Sequence, residues 1–208
     1  MKIIQGQGVS KGIEQGTIYF YHRAAAQVEM RTGADEQEER ARLERAKERT
    51  AQQLSDMAEK AREEAGDEAA VLFETHAMFL EDEDYTGAME ELLAEGYCAE
   101  YAVDQAGQEF AAMLASMDDP YMQARAADIK DVTGRILNNL MGGVEGGIDS
   151  DVPVILAADD LAPSETIQLD KKKILAIATQ KGSGNSHTAI LARTMGIPAV
   201  CGLGEDFN

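Results

Sequence analysis

His187 is the residue of this chain best placed to do chemistry. It stands in Ser186-His187-Thr188-Ala189-Ile190, between the Gly-rich stretch Lys181-Gly182-Ser183-Gly184-Asn185 and an apolar run. Ile174 to Ala178, just before, has the apolar text of a buried strand. Ile190, Leu191 and Met195 then recur at helical spacing, and Gly196 and Pro198 stop the helix. His187 therefore falls in the first turn of a helix that follows a strand and a glycine-rich loop. Amide N–H groups without intrahelical acceptors and the positive end of the helix dipole converge there and favour an anion. A neutral imidazole nitrogen is a competent nucleophile that forms a transferable phosphoramidate. Phosphoryl transfer asks the protein mainly for positioning and charge stabilisation. Amides of Gly182, Ser183 and Gly184, with the helix N-terminus, could supply both. The same spacing also fits a helix-start histidine whose ring simply faces solvent, and the pattern by itself leaves both readings open. A metal centre is disfavoured, because His22 and His76 are remote in sequence and no Cys/His/Asp cluster has ligand spacing.

The surrounding text shows which elements must position this histidine. Residues 1 to 22 read as two short strands around glycine-rich turns, centred on Ile3-Ile4 and Thr17-Ile18-Tyr19-Phe20. Asp35-Glu-Gln-Glu38 has capping-box spacing and opens a long charged helix to about Ala65. Its inward stripe is Leu43, Ala46, Leu54, Met57, Ala58 and Ala61. Gly66 ends that helix and Asp67 can cap the next, which carries Ala70, Val71, Phe73, Met78 and Phe79. Further helices are predicted over Tyr85–Ala94, Ala99–Met117 (Val103, Phe110, Met113 and Leu114 inward) and Tyr121–Met141, with Asp118-Asp119-Pro120 as a turn and Gly142-Gly143 as a stop. Strand-like text returns at Val152–Ala157, Ile174–Ala178 and Ala199–Cys201, separated by a helix near Pro163 and the one bearing His187. Helical text is thus inserted into α/β text, which predicts two domains.

Charge adds a second signal. Of a net −19, the stretch from Glu63 to Ala124 holds 17 Asp and Glu and no Lys or Arg, whereas the rest holds 21 acidic and 19 basic residues. The imbalance is local. A solvated helical face accounts for many such runs, but a segment without cations forfeits i,i+4 ion pairs, and a basic protein partner steered in by the field is the sharper explanation. Met78 and Phe79 beside Glu81-Asp82-Glu83-Asp84 would make an apolar anchor in an acidic rim, or simply helix core. The net charge argues against nucleic acid. No stretch has the form of a signal peptide or a membrane span. Cys98 and Cys201, far apart, suit a reducing compartment and read as small buried apolar residues.

Four stretches carry a family resemblance. Ser186-His187-Thr-Ala-Ile-Leu-Ala-Arg193, followed by Gly196-Ile-Pro-Ala-Val200, resembles the phosphohistidine signature of enzymes that use phosphoenolpyruvate: Enzyme I of the bacterial sugar phosphotransferase system, phosphoenolpyruvate synthase and pyruvate phosphate dikinase. Gly6-Gln-Gly-Val-Ser10-Lys-Gly12 through Tyr19 resembles the N-terminal strand pair of Enzyme I. Asp160-Leu-Ala-Pro163-Ser-Glu-Thr166 resembles its hinge string, and Phe73-Glu-Thr-His76-Ala-Met-Phe-Leu80-Glu-Asp its partner-binding helical insert. The resemblance spans essentially the whole chain.

It implies an α/β swivelling phosphohistidine domain (1–22 plus 145–208) with an inserted α-helical bundle (23–144) that binds the small basic carrier HPr. On this analogy the activity is that of a cytoplasmic phosphoenolpyruvate-protein phosphotransferase. His187 is phosphorylated on Nε2, and Thr166 steadies the other ring nitrogen. Gly182, Ser183, Gly184, Ser186 and Arg193 support the phosphate. Glu64, Asp67, Glu68, Glu74, His76, Met78, Phe79, Asp82, Glu83 and Asp84 meet the partner. The loop departs from the family pattern: Ser183 breaks an adjacent glycine pair, Gly184 stands where a basic or small polar residue is usual, and Asn185 replaces threonine. The phosphoenolpyruvate-binding barrel of the family, with its Mg²⁺, has no counterpart in these 208 residues, so no cofactor is expected in this chain. Phosphate exchange with HPr is expected, but not phosphorylation by phosphoenolpyruvate alone. A monomer is expected, full-length family members being dimeric. The alternatives are the mobile domain of a synthase or dikinase, and an HPr-docking module that has lost transfer.

Overall fold

The computed structural model describes residues 3–22, 27–143, 150–184, 186–204 and 207. The chain forms two compact units, one of Met1–Ala24, Lys60–Ala70 and Gly146–Asn208, the other of Ala25–Glu59 and Val71–Glu145.

The first unit is built on a five-stranded mixed sheet of order β1-β5-β4-β3-β2, with β1 Gln7–Ser10, β2 Thr17–Tyr21, β3 Val154–Ala158, β4 Ile174–Thr179 and β5 Ala199–Cys201. β2, β3, β4 and β5 run parallel to their neighbours and β1 closes the edge antiparallel to β5. Central parallel strands are covered on both faces, which is why β3 and β4 read as near-continuous apolar text; Val154, Leu156, Ile174 and Ile177 are all buried. The first strand is not the expected Ile3-Ile4. Ile3 is 74% exposed, whereas Val9 is buried where Gln7–Ser10 pairs with β5. Pairing partners rather than local hydrophobicity select that strand. Two short helices, α6 Pro163–Ile167 and α7 His187–Met195, connect β3 to β4 and β4 to β5 and pack on one another. The unit also takes in the turn from the long helix α1 (Glu36–Ala65) into α2 (Asp67–Phe79), where Lys171 lies 3.2 Å from Glu64.

The second unit is helical: the larger parts of α1 and α2, with α3 Glu83–Ala94, α4 Ala99–Ala115 and α5 Pro120–Leu140. The predicted α1 stripe is buried throughout, and Asp35 caps the helix by accepting the Glu38 N–H at 2.9 Å. Helix α3 starts two residues earlier than expected, because Asp82 caps it by accepting from the Asp84 and Tyr85 amides. Met113, expected inward, is exposed. α4 and α5 approach closely at Gly107, where an added Cβ would lie 2.4 Å from Thr133 Oγ1. The Thr133 hydroxyl is in turn fixed by donating to the Ile129 carbonyl at 2.7 Å and sharing a 2.8 Å bond with the buried Tyr85 hydroxyl. Elsewhere in the helical unit Glu39 bonds Arg42 and receives the Ala99 amide at 2.7 Å, satisfying the N-terminus of α4. Glu100 bonds Arg42 and, at 3.0 Å, Arg31. Both cysteines are free and buried, as small apolar residues would be.

Candidate active site

The site assembles at the C-terminal ends of two neighbouring parallel strands. In open α/β sheets that is where connections to helices leave room for a ligand. β4 is extended by backbone bonds on both sides: Gln180 and Lys181 donate to Ala158 and Asp159, while Gly202 and Leu203 donate back to Lys181 and Thr179. The chain then leaves the sheet at Gly182, whose φ of +97° only glycine adopts without strain. A turn follows, closed by the Ser186 N–H on the Ser183 carbonyl at 3.1 Å. Ser186 caps α7 from an extended conformation, its Oγ accepting the Ala189 N–H at 3.2 Å. His187 is the first residue of that helix and is half-buried. Gly196, in the left-handed region at φ +70°, ends it.

Gly184 is held from two directions. Its N–H donates to Gln7 Oε1 at 3.2 Å, and its carbonyl accepts from Arg193 Nη2 at 2.7 Å. Arg193, in the last turn of α7, thus reaches back to the loop, also donating from Nε to the Ala189 carbonyl at 3.4 Å; among the described residues it bonds carbonyls, not a carboxylate. Its cation stays beside the positive end of the helix, where it adds to the attraction for an anion. In this arrangement the Gly184 amide is taken by Gln7. Asn185 lies outside the described residues.

Thr166 sits on α6, after the adjacent strand β3, and is fully buried. Pro163 opens α6 at a position that needs no amide hydrogen. Glu165 reaches back to the Ala162 N–H at 2.7 Å and also accepts the Tyr21 hydroxyl at 2.9 Å, tying α6 to the end of β2. The Thr166 hydroxyl donates to the Ala162 carbonyl at 2.9 Å. Toward any further partner it can therefore act only as an acceptor. Thr188, next to His187, donates to the Leu161 carbonyl at 2.6 Å and links α7 to the β3–α6 loop.

The residues expected to meet a partner divide by environment. His76 is fully buried, not at a surface: its Nε2 lies 3.3 Å from Asp128, its Nδ1 3.9 Å from Asp131, and its ring stands edge-on to Phe73. Phe79 is buried too, with the Arg125 guanidinium 5.7 Å from its ring centre, whereas Met78 is 70% exposed. Glu64 is engaged by Lys171 and Lys60, and Asp67 by Arg62 at 3.2 Å. Asp82 is used as a helix cap. Glu68, Glu74, Glu83 and Asp84 are exposed. Val71, which had no functional reading, is 55% exposed on the same face of α2 as Glu74 and Met78. Its seven-residue spacing from Met78, out of phase with the buried Ala70 and Phe73, is the sequence signal that marks it.

Residues 5–125 match the family model described as PEP-utilising enzyme, N-terminal, and residues 151–207, which contain His187, match PEP-utilising enzyme, mobile domain. The chain belongs to the PEP-utilising enzymes. Its similar proteins include Enzyme I, which the four sequence stretches resemble. Proteins named phosphoenolpyruvate-protein phosphotransferase from Priestia megaterium and Bacillus subtilis are 38% and 35% identical over 203 and 205 residues, 97% of this chain in each case. The chain spans only 35% and 36% of those relatives. An NMR structure of Enzyme I (nEIt) superposes with a TM-score of 0.77 at 34% identity, covering 99% of this chain and 85% of that one. The N-terminal domain of Enzyme 1 - Nitrogen gives 0.71 at 25% identity, with 96% and 83% covered.

Proposed function

We propose that this chain is the N-terminal part of a phosphoenolpyruvate-protein phosphotransferase, in which His187 carries a phosphoryl group exchanged with the carrier HPr. The observation that carries the reading is the position of His187: first residue of a capped helix at the exit of a central parallel strand, on a helix packed against the one bearing Thr166.

The chemistry follows from these groups. Thr166, its own proton committed to Ala162, can accept a proton-bearing ring nitrogen and so favours the tautomer with hydrogen on Nδ1. Nε2 then keeps its lone pair. It attacks phosphorus in line, the new P–N bond forms as the bond from phosphorus to the donor's own atom breaks, and that atom recovers its electron pair. Charge on the three phosphoryl oxygens is met by the N-terminus of α7 and by the Arg193 cation. Reversal returns the group to the carrier. With a carrier that also holds its phosphoryl group on nitrogen, donor and product are both phosphoramidates, so the step is close to balanced in energy and runs either way.

Docking falls to the helical unit. Val71, Glu74 and Met78 give α2 an apolar–acidic–apolar face, beside the exposed acids Glu83 and Asp84 of α3. Such a face suits a basic carrier with an apolar centre to its contact, binding transiently. Phosphoenolpyruvate and Mg²⁺ chemistry belongs in this scheme to the barrel of the longer relatives. The sheet unit serves as the swivelling element between the two partners, in the cytoplasm where the carrier resides.

The test is intact-protein mass after mixing with phosphorylated HPr, beside His187→Ala. Gain of one phosphoryl group by the parent and none by the variant supports the reading. Equal labelling of both, or labelling of neither while HPr binds, overturns it and leaves a docking module.

A further inference from the structure

The loop that delivers His187 is rich in glycine and should on composition be loose, yet its geometry is fixed by a side chain from the other end of the sequence. Gln7 lies on β1, the antiparallel edge strand, and reaches Gly184 across 177 positions of sequence. Its Oε1 takes the Gly184 N–H at 3.2 Å while Arg193 donates to the Gly184 carbonyl at 2.7 Å. The two bonds hold the peptide units on either side of one residue, so both of its soft dihedrals are constrained. Glycine gives up more backbone freedom on ordering than any other residue, and a tether of this kind offsets that cost where it is largest. The fit is close: a Cβ on Gly184 would come to 3.0 Å from Gln7 Nε2, so the carboxamide lies directly against the glycine. A bulkier residue at 184 would displace it.

We infer that Gln7 is a positioning residue for His187: its side-chain carboxamide, acting with Arg193, locks the Gly184 segment and so sets the approach of the phosphoryl group to Nε2. This rests on the phosphohistidine reading above. Arg193 alone fixes only the carbonyl side, and its long chain can follow a shifting loop. Gln7 starts from a strand held in the sheet by pairing to β5, and so supplies the fixed reference. The arrangement also accounts for how this chain tolerates Gly184 where a basic or small polar residue is usual: a polar group arrives from β1.

The test is Gln7→Met, which keeps length and loses both hydrogen-bonding ends, and Gln7→Glu, which keeps an acceptor at the same reach. Two quantities are followed: amide exchange at Gly184, and the single-turnover rate of phosphate transfer from phosphorylated HPr at saturating carrier. Gln7→Met is expected to speed Gly184 exchange and to slow transfer about 3- to 10-fold, the worth of one partly exposed hydrogen bond, with carrier affinity and melting temperature unchanged. Gln7→Glu is expected to restore Gly184 protection. Transfer at the parent rate in Gln7→Met, with the Gly184 amide released, overturns the positioning role alone. A fall in carrier affinity or melting temperature that accounts for the slower transfer also overturns it. A parent protein that takes no phosphate on His187 overturns the function and this role together.

Discussion

Replacing Ser186 by alanine perturbs the site through its helix alone. Ser186 is extended at φ −65°, ψ 151°, and its Oγ is the acceptor for the Ala189 amide at 3.2 Å. Alanine keeps the backbone and deletes that acceptor. N-cap losses of this type cost about 0.5–2 kcal/mol, and the rather long bond places this one near the lower half, at about 1 kcal/mol. Helix α7 has only nine residues and little propagation to set against a lost cap. Urea denaturation followed by the sheet unit's signal should therefore show a loss of about 1 kcal/mol, with melting of that unit lowered by about 4–8 °C. Glycine at the same position should cost only a few tenths of a kcal/mol. A 1 kcal/mol cost raises a frayed first turn roughly fivefold, so Ala189 exchange should accelerate by that factor. Transfer through His187 should slow less, because the frayed form stays in the minority. Equal damage from alanine and glycine, or a fully stable Ser186→Ala, would refute the view that this hydroxyl holds the first turn.

Other consequences can be checked alongside. Gly107→Ala gains about 1 kcal/mol of helix propensity but forces a Cβ to 2.4 Å from a Thr133 side chain locked by two hydrogen bonds; a net loss of about 1–2 kcal/mol in chemical denaturation is expected, and stabilisation would contradict the packing. Burial raises the Glu100 pKa, but hydrogen bonding and charge from Arg42, with Arg31, outweigh it and hold the carboxyl below the usual glutamate range. Its contribution is therefore present at neutral pH and lost as pH falls through the folded-state value. Denaturation between pH 7 and 3 should show a shallower acid decline for Glu100→Gln from a lower neutral stability. Met78→Ser and Val71→Ser should leave stability within about 0.5 kcal/mol, both being exposed, while each weakens HPr binding about 5- to 30-fold by calorimetry; unaltered binding would move the docking face elsewhere.

The helical half was legible in the sequence because its signals are local. Asp35 and Gly66 punctuate periodic text, and the stripe from Leu43 to Ala61 is buried as its spacing predicts. The start of α3 was misplaced because Glu81-Asp82-Glu83-Asp84 reads equally well as an acidic rim; only geometry shows that Asp82 caps the helix. The strand at Gln7–Ser10 hid behind its glycines, while Ile3-Ile4 offered more hydrophobic but unpaired text. His187, Ser186 and the stop at Gly196 could be read from one contiguous string. The supports around them could not. Gln7 meets Gly184 from the far end of the chain, and Thr188 and Arg193 satisfy backbone carbonyls that no periodicity marks. His76 looked like a surface residue because Asp128 and Asp131, which enclose it, arrive from a helix some fifty positions later.

The measurement that bears most directly on the whole account is ³¹P and ¹⁵N NMR of the chain after exchange with phosphorylated HPr. One phosphoramidate is expected, on His187 Nε2, with Nδ1 protonated. Phosphate on Nδ1, on another residue, or absent from a chain that binds HPr would contradict it.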